Sequence, residues 1–182
     1  MACNPNCPIS LTAVLRNGGC DLNTPGGIKE LYIAPRCDVA SITTGTSSVV
    51  TAITMEPGKT FTTFQQNPNV ANYTTTINSG DLVPTTYTSN VNAKFYKLDS
   101  AKRLVFNALA QAESIVIVRL VSGEFILVGE EYYTKISAGT INSGTSMAEP
   151  GTYDITLTET SSYMPKHVAS SIIDAIVDSY AL

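Results

Sequence analysis

Four cysteines, one histidine and fifteen acidic residues are the side chains from which this 182-residue chain could build chemistry. Cys3, Cys7, Cys20 and Cys37 all fall near the start of the chain. Four thiolates suit the tetrahedral preference of zinc, so they form a candidate metal set. The paired C-x2-C knuckle is missing from both halves, which leaves reduced thiols, or disulfides formed after release from a cell, as alternatives. His167 has no nearby Cys, Asp or Ser in the order of a nucleophilic triad and reads as a surface or cap residue. Glu130 and Glu131 are adjacent, and on a strand they would point to opposite faces, too far apart to share acid/base work. No phosphate-binding or dinucleotide glycine pattern is present: Gly18-Gly19 and Gly26-Gly27 are turn glycines. The chain is therefore read as a non-enzyme with no catalytic residue and no cofactor.

The elements that must position these residues are mostly strands. Ser114 to Val121 and Glu124 to Val128 are apolar and β-branched, and Ser122-Gly123 joins them, which makes this the clearest hairpin in the chain. Before it, Ile28 to Ala34, Val39 to Thr43, Val49 to Met55, Thr60 to Gln65, Ala71 to Ile77 and Thr86 to Leu98 read as strands. The last is long enough either to extend beyond its own sheet or to run centrally. At Asp99-Ser100 the period changes: Ser100 is a candidate N-cap, and Leu104, Val105, Ala108 and Leu109 recur at helical spacing to Ala112. After the hairpin, Glu130 to Ile136 is expected to be a strand, residues 137–152 a Gly/Ser/Thr loop, and Tyr153 to Thr158 a closing strand. In the tail, Lys166 to Tyr180 carries an apolar stripe through Val168, Ile172, Ile173, Ile176, Val177 and Tyr180, which predicts a helix packed on its own sheet or on a neighbour. The expected architecture is mainly β: a β-sandwich or partial β-barrel over residues 28–160 with one flanking α-helix, an irregular Cys-containing arm over 1–27 and a C-terminal helical tail over 161–182.

Composition narrows the class further. Charged residues make up 14% of the chain, against roughly 25% in an ordinary soluble domain. Such a surface suits burial against other copies. The net charge of -4 argues against a nucleic-acid clamp, which would carry a basic stripe. No run of eighteen apolar residues and no basic, apolar leader stand at the N-terminus, so no membrane partner and a cytoplasmic site of synthesis are expected. Arg119 interrupts the apolar strand of the hairpin. It either faces water or lines a channel or seam, paired with Glu124 across the hairpin or with an acid of another copy.

The apolar strand Ser114 to Val121, the Ser122-Gly123 turn, Phe125 to Gly129, Ser143-Gly144 and the strand Asp154 to Thr158, together with NTPGGIKELYIAPRCDV, resemble structural proteins of tailed-bacteriophage virions, specifically tail-tube-like proteins. The resemblance covers most of residues 23–160 through short motifs. It implies a virion protein, assembled in the host cytoplasm, whose copies form a homo-oligomeric ring of a tail or neck around a genome-passage channel. Its partners would be other copies of itself and adjacent tail or neck proteins, with DNA passing through without specific binding. Under this reading Val91, Phe95, Ile172, Ile176 and Tyr180 are candidates for the subunit interface, and Arg119 and Glu124 for the channel wall. The cysteine-bearing arm and the tail depart from a minimal tube protein, so a neck ring, terminator or hub fits as well. A capsid-surface decoration or fibre-attachment module is the alternative of a different class, and a zinc-containing interaction domain is a third.

Overall fold

A computed structural model describes residues 25–67, 69–80 and 83–177. In chain order the elements are β1 (Ile28–Pro35), β2 (Val39–Thr44), β3 (Val49–Met55), β4 (Thr62–Gln65), β5 (Asn72–Gly80), β6 (Val83–Tyr96), α1 (Ser100–Gln111), β7 (Ser114–Leu120), β8 (Phe125–Val128), β9 (Lys135–Asn142), β10 (Thr152–Ser161), β11 (Lys166–Val168) and α2 (Ile173–Ile176). They build a seven-stranded sheet in the order β2-β3-β11-β8-β7-β1-β4 and a four-stranded sheet in the order β5-β6-β10-β9. The fold is mainly β, as the alternation predicts.

The larger sheet cannot be flat. β1 and β2 stand five strand spacings apart in it, which is about 24 Å across a flat sheet. They are joined only by the 3-10 turn Arg36–Asp38, and the chain from Pro35 to Val39 reaches at most about 14 Å. The sheet therefore curls into a partial barrel.

This curl creates two cores. Leu31, Ile33, Val116, Val118, Ile126 and Val128 face the small sheet and meet Val91, Ala93, Phe95, Ile155 and Leu157. Tyr32, Val50, Phe61, Ile115, Ile117 and Leu127 fill the inside of the curl, together with Val168, Ile173 and Ile176. Successive residues of β7 thus enter opposite cores, which is why its apolar run shows no polar alternation.

Three expectations are corrected. The cap of α1 is Asp99, whose carboxylate accepts a hydrogen bond from the Lys102 N–H at 2.8 Å, and Ser100 is the first helical residue. The helix is anchored by Phe106, whose ring lies 4.9 Å from that of Phe95 and 5.0 Å from that of Tyr153. Leu104 is 70% exposed and Val105 45% exposed, because a helix seated at the rim of a sheet buries only a narrow stripe.

The strand expected at Glu130 to Ile136 lies further on. Gly129 (φ 98°) and Tyr133 (φ 63°) turn the chain there, and β9 then runs through Ser137 and Gly139, inside the segment read as loop. Hydrogen bonding to β10 from Thr152↔Asn142 to Thr158↔Lys135 overrides its weak β preference.

The tail helix is reduced to the four residues of α2. Lys166–Val168 instead forms β11, parallel to β3 and antiparallel to β8. The unpaired backbone groups between those strands need a partner, and three strand residues satisfy both sides. The apolar stripe still finds burial within the chain: Val168, Ile173 and Ile176 enter the curl, and Phe61 N–H donates to the Ile176 carbonyl at 2.9 Å.

Candidate assembly surface

The residues singled out for a channel wall do not form one pair. Arg119 stands directly opposite Glu30 in the β1–β7 register and donates to its carboxylate at 2.7 Å. The Arg119 guanidinium also lies 5.5 Å from the centre of the Phe125 ring. Burial acts to raise the Glu30 pKa, but the Tyr32 hydroxyl, donating at 2.7 Å, and the Arg119 charge outweigh it and leave the carboxyl below its usual range. Burial, together with this carboxylate, pushes the Tyr32 phenol up to about 12. Glu124 sits in the hairpin turn and approaches Nδ1 of His167 at 3.3 Å, with both side chains more than half exposed. Since both faces of β7 and β8 are covered by the chain's own cores, the hairpin has no free sheet face to line a channel.

The interface candidates sit at different places in the fold. Val91, Phe95 and Ile176 are buried in the two cores, and Ile172 packs against the second. Tyr180 lies outside the described residues. So do Cys3, Cys7, Cys20 and nearly all of the arm, while Cys37 is exposed on the 3-10 turn. Among the described residues no three Cys, His, Asp or Glu side chains converge as metal ligands.

The acidic pair is not on a strand and serves to tie loops. Glu130 receives Lys166 Nζ at 2.7 Å, and Glu131 accepts from the Ser162 N–H at 2.6 Å and its hydroxyl at 2.7 Å. Beneath them Glu159, 4% exposed, accepts from the Gly129 N–H at 2.7 Å. Burial raises the Glu159 pKa, against the lowering effect of the backbone N–H groups around it.

Among the described residues, one open surface belongs to the small sheet. On the side away from the core, β6 and β10 present Asn and Thr in register. Thr156 donates to Asn92 and Thr158 to Asn90, both at 2.8 Å, and Asn92 donates to Asn72 on β5 at 2.9 Å. Lys94 and Asp154 face each other on this side at 3.3 Å and cancel in charge. The result is a polar and nearly neutral face.

The two edges of this sheet are its outer strands, β5 and β9. Among the described residues no strand pairs with the outer side of β5 or of β9. Native proteins usually protect such edges with charge, proline or a covering element. Neither strand contains proline, and the charged residue of the two, Lys135, stands at the start of β9 and is paired with Glu113 at 2.9 Å. Each edge instead shows an apolar residue: Ile77 is 54% exposed and Ile141 68% exposed.

Sequence reasoning found the strands of the polar face but missed the β9 edge. The available signal was the apolar residues Ile136 and Ile141 within a polar stretch, set against the Gly and Ser that argued for a loop. Comparison of the chain with protein-family models, with curated proteins and with solved structures finds no match.

Proposed function

We propose that the chain is a non-enzymatic structural protein of a phage tail or neck, whose copies join into a ring by adding the small sheet of one to that of the next. The observation that carries this reading is the pair of open edges. β5, β6, β10 and β9 alternate in direction, so β5 and β9 run opposite ways. An identical copy repeated along the sheet therefore brings its β5 antiparallel to β9, the pairing that continues the hydrogen-bond ladder. The strands match in extent: β5 has nine residues and β9 has eight, each about 26–31 Å long. A head-to-tail contact of this kind closes into a ring when its rotation divides the circle.

In such a ring the Thr/Asn face is the channel wall, in place of the hairpin face suggested by Arg119 and Glu124. Its balanced Lys94–Asp154 pair offers no phosphate-binding stripe, so DNA gains little counterion-release energy from the wall and slides past it.

Negative-stain microscopy and mass photometry of the purified protein test this proposal. Rings or ring fragments are expected. Ile141→Lys places a charge near the C-terminal end of β9, inside the added joint, and is expected to leave monomers whose melting temperature is unchanged. Wild-type protein that stays monomeric at high concentration refutes the reading. The second reading, a capsid decoration or fibre-attachment module, draws support from the end of the β5–β6 hairpin. There Asn78↔Thr86 and Gly80↔Val83 pair with each other beyond the reach of β10. A copy number in virions that tracks the capsid subunit favours it over the ring.

A further inference from the structure

A groove runs between α1 and the core-facing side of β9. Its walls are Leu104, Phe106 and Ala110 on the helix and Ile136 and Ile141 on the strand, and its volume is about 440 Å³. Gly139 lies between the two isoleucines. A Cβ built there meets only ordinary contacts, the nearest being the Asp154 carbonyl oxygen at 3.5 Å, so the missing side chain deepens the groove rather than relieving a clash. Leu104 and Ile141 stand at its rim with most of their surface in water.

Resting on the ring reading above, we infer that this groove is the socket for Ile77 of the neighbouring copy. A strand added outside β9 points alternate side chains to the same side of the sheet as Ile136, Gly139 and Ile141, and so over the groove. On β5 the core-facing set is Tyr73, Thr75 and Ile77, opposite Val91, Ser89 and Tyr87. Tyr73 packs on the chain's own core, and Thr75 is within hydrogen-bond distance of the Ser89 hydroxyl at 3.0 Å. Ile77 lies beyond both, more than half exposed. Knob and socket thus occupy the same face of one sheet at opposite edges, as repeated addition of identical copies requires. The groove falls in the range of roughly 300–1,000 Å³ that takes whole ligands, so it admits an isoleucine with room for a second side chain. Ile77 therefore gives the joint a specificity that backbone pairing alone lacks, in the way edge-strand recognition combines a ladder with side-chain pockets.

The test uses the full chain with Cys3, Cys7, Cys20 and Cys37 replaced by Ser. Ile77→Cys and Leu104→Cys variants are made separately, checked for an unchanged melting temperature, mixed and oxidised. Mixing is expected to give a covalent heterodimer that neither variant forms alone, and Ile77→Ala is expected to weaken each joint roughly ten- to hundredfold. Rings that survive Ile77→Asp, or a mixture that does not cross-link while rings persist, overturn the socket, leave the ring reading standing and assign the groove to another occupant, such as a small apolar molecule. Failure of the wild-type chain to multimerise overturns both.

Discussion

Truncation of one leucine in each core measures whether the two sheets fold as a unit. Leu157 on β10 is fully buried between the sheets, and Leu127 on β8 is 2% exposed inside the curl. Replacing either by alanine removes three carbons, worth about 2.4 kcal/mol at about 0.8 kcal/mol per methylene. The cavity left in a packed interior brings each to about 3–5 kcal/mol. In a chain of this size each kcal/mol lowers the melting temperature by about 2–4 °C, so falls of about 6–20 °C are expected. Leu104→Ala, on the open side of α1, is expected to cost under about 0.5 kcal/mol and so to shift the melting temperature by less than about 2 °C. Differential scanning calorimetry at one fixed protein concentration reads all three, because self-association would otherwise add a concentration term. Since β7 contributes to both cores, Leu157→Ala and Leu127→Ala should move the same single transition. Two resolved transitions, each sensitive to one variant, refute the reading of a shared β7 scaffold. A Leu104→Ala cost equal to that of Leu157→Ala refutes the placement of α1.

Gly129→Ala is expected to be costly, because φ there is 98° and the new Cβ would lie 2.8 Å from the Ser114 carbonyl oxygen and 3.1 Å from the Thr134 nitrogen. Backbone strain alone costs about 1–3 kcal/mol, and urea titration should show a larger loss than for Gly123→Ala, where φ is 95° but no atom lies within 4 Å. Equal losses would mean that the crowding at Gly129 is absent. Glu159→Gln separates the charge of a buried carboxyl from its packing. Burial raises the folded pKa above the ordinary 4.5, so the carboxyl's stabilising contribution is fully present below the unfolded value and is lost as pH rises through the folded one. The glutamine variant does not titrate, and its melting temperature relative to wild type should climb as pH is raised from below 4.5 to neutrality. A difference that stays constant with pH refutes the shift.

The parts of the fold that were legible in the sequence share one property: their pairing partners are near in the chain or their apolar pattern is dense. The β7–β8 hairpin needs only Ser122-Gly123 and two β-branched runs, and Gly123 does adopt the left-handed conformation such a turn uses. β10 announces itself by alternating Tyr153, Ile155 and Leu157 with polar residues. The misread parts depend on distant partners. β11 is three residues long, too short for a period, and exists because β3 and β8 leave a slot of its width. The stripe on α1 has the right spacing, but which part of it turns inward is decided by the gap between Phe95 and Tyr153 that Phe106 fills. The pairing of Arg119 with Glu30 follows from register across strands 89 residues apart, which no local pattern carries.

The same contrast explains why the proposed assembly surface and the strongest sequence signal do not coincide. Ser114 to Val128 is the most strand-like stretch because it must lie in the middle of the fold with both faces dry. A segment of that composition left at an edge would recruit any exposed strand it met. An edge meant to accept only another copy of itself has to stay soluble until that copy arrives, which favours polar strands with glycine and few apolar side chains. β9 has that make-up: Ser137, Gly139 and Thr140 keep it weak alone, β10 holds it extended, and in the proposed joint Ile136 and Ile141 would supply selectivity on the groove side. The composition that made 137–142 read as a loop is therefore the composition an unprotected assembly edge requires.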